Sequence, residues 1–439
     1  MRYTLDPSTE MLGDGSVVLG GSPRRLFRLT TAGATLLARL AGGGDVGPST
    51  LVERLLAAGA IHPIPTGGPF TAADVTVVVP AWCAGADRLA TIAATDAAAI
   101  IVIDDASPTA LIAPPGVDVR RRSSNGGPGA ARNSGAAEVT THLVAFVDTD
   151  VTPTATWLDG LLGHFADQRV AAVAPRVRSQ PGQGALARYE LDHSPLDLGC
   201  DPATVAPGTR VGYVPAAALV VRTDAFGSVG GFDESLRTGE DVDLIWRLVE
   251  AGHVVRYEPG VVVDHQPRRS WAGMARQRLG YGESAAPLAR RHRGALAPVR
   301  INGWTAVVWA LLVAGRWRWA AIVALATTAA LVRKLRDVPV ATSVRLAGRG
   351  HLGAGRQLTS AARRVWWPLV VLGAARSRRG RMLAIAAAMS ALGEGGWRRL
   401  LDDAAYGAGV WRGVIRTGEV GPLLPSFAAF EPPDHRSRR

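Results

Sequence analysis

The sequence predicts an α/β protein: a central domain of alternating strands and helices, with a small unit before it and a basic helical region after it. Three observations carry this reading. Short apolar runs at residues 75–79, 100–103 and 143–147 alternate with alanine-rich helical segments, the rhythm of a parallel sheet. Each run gives way at its carboxyl end to a distinctive group, Pro80-Ala81-Trp82, Asp104-Asp105 and Asp148-Thr149-Asp150, on the side where open α/β sheets bind ligands. Charge also changes sign along the chain, with 24 basic and 30 acidic residues in 1–285 but 25 basic and 7 acidic in 286–439.

The 439 residues, 47% hydrophobic and 20% charged, suffice for two or three domains and exclude a disordered or collagen-like chain. Residues 1–68 form the first unit. Its opening sixteen residues are too polar for a secretory signal, so a cytoplasmic N-terminus is expected. An extended segment at 17–19 precedes a helical pattern through Leu26, Leu29, Leu36, Leu37 and Leu40, ended by the glycines 42–44. Leu51, Leu55 and Leu56 mark a second helix, Ile61 and Ile64 a short extended piece, and the Pro/Gly-rich stretch 62–69 a linker.

Residues 69–285 form the central domain, which adds apolar runs at 214–221 and 261–263 and a helix over 240–251. Cys83 and Cys200, the only cysteines, lack zinc-site spacing and exclude a disulfide framework. Residues 286–439 contain apolar stretches at 301–315 and 319–332, split by Arg316, Trp317 and Arg318. Each is shorter than the about 20 residues that span a bilayer, and joining them would place arginine at its centre. Together with Trp366, Trp367 and a helix at 382–392, they predict contact with the cytoplasmic membrane face. A helical bundle packed on the catalytic domain is the plainer alternative.

The carboxylates carry the chemistry. Asp148 and Asp150, one on each side of Thr149 at a strand end, suit Mg2+ or Mn2+ and through it a diphosphate; helix capping before Pro153 is the competing reading. Asp104 and Asp105 suit a nucleotide's ribose or base, or else an Asx turn. The segment 125–133 joins glycines, which permit close backbone approach, to Arg132, which suits phosphate; it is neither a GxxxxGK[ST] loop nor GxGxxG. In 239–244, acidic residues open an amphipathic helix whose dipole favours their ionised form. Asp241 fits a general base, whereas Glu240 and Asp243 fit capping. His265 is a candidate metal ligand, or a structural histidine.

Taken in order, VVVPAW (77–82), VIDDAS (102–107), NGGPGAARNSGA (125–136), VDTD (147–150), GGFDESL (230–236) and GEDVDLIWRL (239–248) resemble the inverting family 2 glycosyltransferases of GT-A fold over residues 74–270. The resemblance implies a UDP-sugar donor, with Pro80, Ala81 and Asp105 near the nucleotide, Arg132 ordering that pocket, and Asp148 contacting the donor. It implies a Mg2+ or Mn2+ cofactor on Asp150, a further ligand at His265, and Asp241 as the base. Cys83 stands where many relatives have asparagine, and the QxxRW signature of processive synthases is missing.

The runs RLTTAGATLLARLAGG and LVERLLAAGAIHPIP resemble the winged-helix-like domains that recognise leader peptides, as in the pyrroloquinoline quinone pathway. Their fusion to such a transferase is similar to the mycofactocin-system glycosyltransferases. That likeness implies transfer of a hexose, glucose from UDP-glucose, onto the peptide-derived cofactor mycofactocin or its precursor, building a β-linked oligosaccharide. Peptide would bind the first unit by strand addition. Two other readings compete: a cell-envelope lipid or polysaccharide acceptor, and a winged-helix DNA-binding regulator. The regulator reading is weakened because the basic charge lies far from residues 1–68, so no nucleic-acid partner is expected.

Overall fold

The computed structural model describes residues 2–13, 15–112 and 114–427. These form two compact units, one of residues 2–11 and 18–267, the other of residues 12–17 and 268–427.

The N-terminal part contains β1 (Arg2–Leu5), β2 (Glu10–Leu12), β3 (Val17–Gly20) and β4 (Arg25–Arg28), followed by α1 (Thr31–Ala41), α2 (Thr50–Ala57) and β5 (Ile61–Ile64). Thr30 starts α1 by accepting a hydrogen bond from the Gly33 amide, and Ser49 starts α2 by accepting one from Val52. Leu26 therefore lies in β4, not in the helix its spacing suggests. Leu37, Leu40, Val52 and Leu55 nevertheless share one core with Val18, Phe27 and Ile61. β1 and β5 pair antiparallel, so His62, expected in the linker, is a strand residue opposite Thr4.

The central domain contains β6 (Val75–Ala81), α3 (Ala86–Ala93), β7 (Ala99–Asp104), β8 (Asp118–Arg121), α4 (Pro128–Ala136), β9 (Leu143–Val147), β10 (Val151–Thr152), α5 (Asp159–Leu162), β11 (Val170–Ser179), α6 (Gly184–His193), β12 (Ala203–Val205), β13 (Ala218–Arg222), α7 (Thr223–Ser228), α8 (Glu240–Glu250) and β14 (Val254–His265). The strand order is β10-β14-β11-β13-β9-β6-β7-β8, with β12 added on β14. The sheet is mixed. β8, β7, β6 and β9 are parallel, as are β11 and β14, but β13 runs antiparallel to both its neighbours. The purely parallel expectation failed because a strand buried on both faces shows the same apolar run in either direction. Of the run 214–221, only 218–221 is strand; the preceding residues turn to bring the Ala216 amide toward Asp241. Val77, Val79, Val102, Ala145, Val173 and Val220 pack with Trp157 and Phe165 in the core.

The second unit is helical: α9 (Trp271–Glu283), α10 (Ala285–Arg291), α11 (Gly303–Val313), α12 (Trp317–Lys334), α13 (Val340–Arg364), α14 (Trp367–Arg376), α15 (Arg378–Leu392) and α16 (Trp397–Thr417). Glycines let α9 and α16 touch, since a Cβ on Gly409 would stand 2.0 Å from the Leu279 carbonyl oxygen and one on Gly282 would stand 2.0 Å from that of Tyr406. Buried ion pairs join its helices, with Arg278 donating to Asp402 at 2.9 Å and Arg363 pairing with Asp403. Trp304, Trp317, Trp319, Leu325 and Ile385 are exposed. Among the described residues, no helix is long and apolar enough to cross a membrane.

Candidate active site

The carboxyl ends of β6, β7 and β9 present the motif residues. Pro80 and Ala81 close β6, and Asp104 closes β7. Just beyond, Cys83 and Ala106 hold left-handed backbone at φ 54° and 57°, a conformation costly for residues with a Cβ. The Cys83 amide donates to Ser107 Oγ at 2.9 Å, and the Ser107 amide donates to Asp104 Oδ1 at 2.9 Å, so the two strand ends are tied together.

Asp105 is nearly buried and organises the glycine-rich segment. Its Oδ1 accepts from the Gly126 amide at 2.9 Å and its Oδ2 from the Gly127 amide at 2.7 Å, while Arg122 Nε lies 3.0 Å from Oδ1. Gly127, at φ 88°, then admits α4 with Pro128 in its first turn. The small side chains of α4 let it sit against the sheet, where a Cβ on Gly135 would meet Val78 at 2.4 Å.

α4 delivers Arg132 and Asn133. Arg132, only 3% exposed, donates to Asp148 Oδ1 at 2.6 Å and to Glu240 Oε1 at 2.9 Å. Burial works against its charge, but the facing carboxylates of Asp148 and Glu240 outweigh it and hold the guanidinium's pKa above its ordinary value. Asn133 accepts from the Phe232 amide at 2.9 Å and donates to the Phe232 carbonyl at 2.8 Å, fixing the GGFDE turn.

That turn leads into α8, whose first residue follows the left-handed Gly239 and has no side-chain cap. Asp241 Oδ1 accepts from the Val242 amide at 2.8 Å, and Oδ2 accepts from that of Ala216 at 3.4 Å. Burial raises the Asp241 pKa, against the pull of Arg132. Glu240 is pushed up to about 7 by burial and by the neighbouring Asp241, again opposed by Arg132. Asp243 instead accepts from Arg247 at 2.7 Å, and Arg247 donates to the Gly231 carbonyl at 2.7 Å.

On the other side of Asp148, strand β10 pairs Val151 with His265. This register brings Asp150 Oδ2 to 3.2 Å from His265 Nε2. Burial, with the negative charge of Asp150, raises the Asp148 pKa against Arg132. His265 Nδ1 is buried without a partner. No group of three or more His, Cys, Asp or Glu side chains forms a closed cation cage among the described residues. A carboxylate and an imidazole do suit Mg2+ or Mn2+ when diphosphate oxygens and water complete the shell.

Arg132 thus gathers Asp148, Glu240 and, through α8, Asp241, with Asp150 and His265 adjoining Asp148. Asp105 supports the loop that starts α4. Sequence reasoning missed Glu240 and Asn133 as parts of this framework. Their signal was faint: a glycine before an acidic triplet, which leaves capping without a side chain, and polar residues in a helix otherwise made of Gly, Ala, Ser and Pro.

The family model described as glycosyl transferase family 2 matches residues 86–213. The pre-mycofactocin glycosyltransferase of Mycobacterium tuberculosis is 41% identical over 460 aligned positions, spanning 96% of this chain and 97% of that protein. The N-acetylglucosaminyl-diphospho-decaprenol L-rhamnosyltransferase of the same organism is 34% identical over 118 positions, covering 25% of this chain and 38% of its own. Among solved structures, the mannosyltransferase PcManGT from Pyrobaculum calidifontis, in complex with GDP-Man and Mn2+, overlaps 81% of this chain and 90% of its own at 17% identity and a TM-score of 0.47.

Proposed function

The chain belongs to glycosyltransferase family 2, among the pre-mycofactocin glycosyltransferases, and on that premise we propose that it transfers glucose from UDP-glucose onto mycofactocin or its precursor with inversion. The match over nearly the whole chain is the observation that carries the acceptor. It favours mycofactocin over a lipid or polysaccharide, and an enzyme over a DNA-binding regulator.

In this reading Asp241 accepts the proton of the acceptor hydroxyl. The oxygen bonds to the sugar's anomeric carbon as the bond to the UDP oxygen breaks on the opposite face, inverting configuration. Both Asp241 oxygens are already held by backbone amides, so the carboxylate is oriented before substrate arrives. Arg132 orders Asp148 toward the donor, and Pro80 and Ala81, with the loop that Asp105 fixes, line the nucleotide side. Asp150 and His265 would hold Mg2+ or Mn2+, which neutralises charge on the departing diphosphate.

Donor turnover by the full-length protein with Mg2+ or Mn2+ tests these roles. Asp241→Asn and Asp150→Ala are both expected to lose transfer, but only Asp150→Ala to weaken cation-dependent UDP binding. Full activity in either variant overturns the assignment, and turnover with lipid extracts but not the peptide-derived acceptor overturns the acceptor.

Two further parts of the reading have structural support. The β1–β5 pair offers an edge onto which a peptide could add a strand. The exposed Trp304, Trp317 and Trp319 of the arginine-rich second unit suit the surface of an anionic membrane. Co-sedimentation with phosphatidylglycerol vesicles, reduced by Trp317→Ser and Trp319→Ser together, is the expected outcome.

A further inference from the structure

A cavity of about 370 Å³ lies away from the carboxylate cluster, between the N-terminal strands and the amino ends of β11 and β14. Its lining includes Tyr3, Leu56 and Pro63 from the N-terminal part, and His164, Arg169 and Arg256 from the central domain, all within the first unit. The volume falls within the range of about 300–1,000 Å³ typical of small-ligand pockets.

Arg256 is what the fold leaves unexplained. It sits within β14, 5% exposed, and donates Nη1 to Thr204 Oγ1 at 2.8 Å. Its Nε is buried without a partner. The acidic group on the lining, Asp167, is engaged by Arg169 through two hydrogen bonds of 3.0 and 2.8 Å. Glu258, near the same strand position, is held by His164 Nε2 at 3.0 Å, leaving His164 Nδ1 buried without a partner as well. The lining thus presents two arginines to one carboxylate, Asp167, which bonds Arg169 directly and attracts Arg256 only through space. Burying a guanidinium with no carboxylate bonded to it is costly, and such a group is ordinarily offset by a bound counter-ion. Burial depresses the Arg256 pKa to about 10, yet the group stays cationic at neutral pH.

We propose that this cavity binds a monoanionic carboxylic acid with a compact apolar body. The carboxylate takes the donors of Arg256, a planar fork matched to it, and the apolar body lies against Leu56, Pro63 and Val170. Tyr3, whose phenol burial keeps protonated, closes the N-terminal side. The acid is either a free small molecule or the C-terminal carboxylate of a peptide, which present the same group. This site does not depend on the transfer reaction.

The test is thermal unfolding of the full-length protein titrated with 3-phenylpropionate, with 3-phenylpropionamide, and with acetyl-glycyl-phenylalanine as free acid and as amide. A saturable rise in Tm with the acids but not the amides is expected. Tighter binding of the peptide acid than of 3-phenylpropionate supports a peptide terminus, and tighter binding of 3-phenylpropionate supports a free acid. Arg256→Met should weaken the acids by roughly tenfold or more, the value of a charge-assisted bond. It should remain folded, because the hydrogen bond it gives up is the one to Thr204 Oγ1 and no ion pair is broken with it. Ala166→Trp, at an exposed rim position, should obstruct entry without touching the core. Equal shifts with acid and amide, or an undiminished response in both variants, overturns the proposal.

Discussion

Arg132 shows how much one side chain can organise: a single buried cation serves Asp148 at the end of β9 and Glu240 at the start of α8. Arg132→Met leaves both acids without their counter-charge and is expected to cost about 3–5 kcal/mol, the scale for breaking a buried pair, as read by denaturant unfolding. Glu240 gives a pH signature. Its folded pKa, about 7, lies above the ordinary glutamate value, so stability from this group is greatest at low pH and falls as pH rises from about 4.5 through 7. Glu240→Gln should flatten that decline in thermal melts recorded from pH 5 to 8. Ala106→Gly should relieve the left-handed backbone and gain up to about 1 kcal/mol, provided the β7 end keeps its Ser107 link. Asp148, Asp150 and Asp241 were legible in the sequence because acidic residues at strand and helix ends stand out. The pairing of Arg132 with Glu240 was not, since the two are 108 positions apart and Glu240 reads as a helix cap.

Among the elements, the strands beside the site were the most legible. Apolar runs bounded by polar groups marked β6, β7 and β9 within a residue or two. β1, β8, β10 and β12 escaped because two to four residues are too few to establish a period, and Leu26 was misplaced because a strand leucine continued a helical spacing by coincidence. Glycines in the second unit carry two opposite expectations. Gly409→Ala drives a methyl group into the Leu279 carbonyl and should lower stability by about 1–3 kcal/mol. Gly350→Ala, within α13 and with open space around it, should raise stability by about 0.5–1 kcal/mol. Thermal melts of the two variants side by side read both signs.

At the scale of the whole molecule, the N-terminal part is joined to the central domain through a buried carboxylate. Asp6 accepts from Arg210 at 3.2 and 2.8 Å and lies 2.9 Å from His62 Nε2. Although burial opposes it, His62, Arg210 and Ser8 hold the Asp6 carboxyl well below the usual range. The stability it contributes is therefore present above about pH 4 and lost on further acidification. Arg210→Met should cost about 2 kcal/mol, less than a fully buried pair because the arginine is partly exposed. It should also move the acid-unfolding midpoint upward. Strand β14 runs from Arg256 at the cavity to His265 beside Asp150, yet its register with β11 breaks between Glu258 and Val262, where three residues are surplus. Those residues interrupt the hydrogen-bonded ladder, so the cavity end and the Asp150 end of the strand are two separately paired segments joined by a bulge. One extra glycine after Gly260 should therefore be absorbed silently, leaving UDP affinity and acid binding as they were.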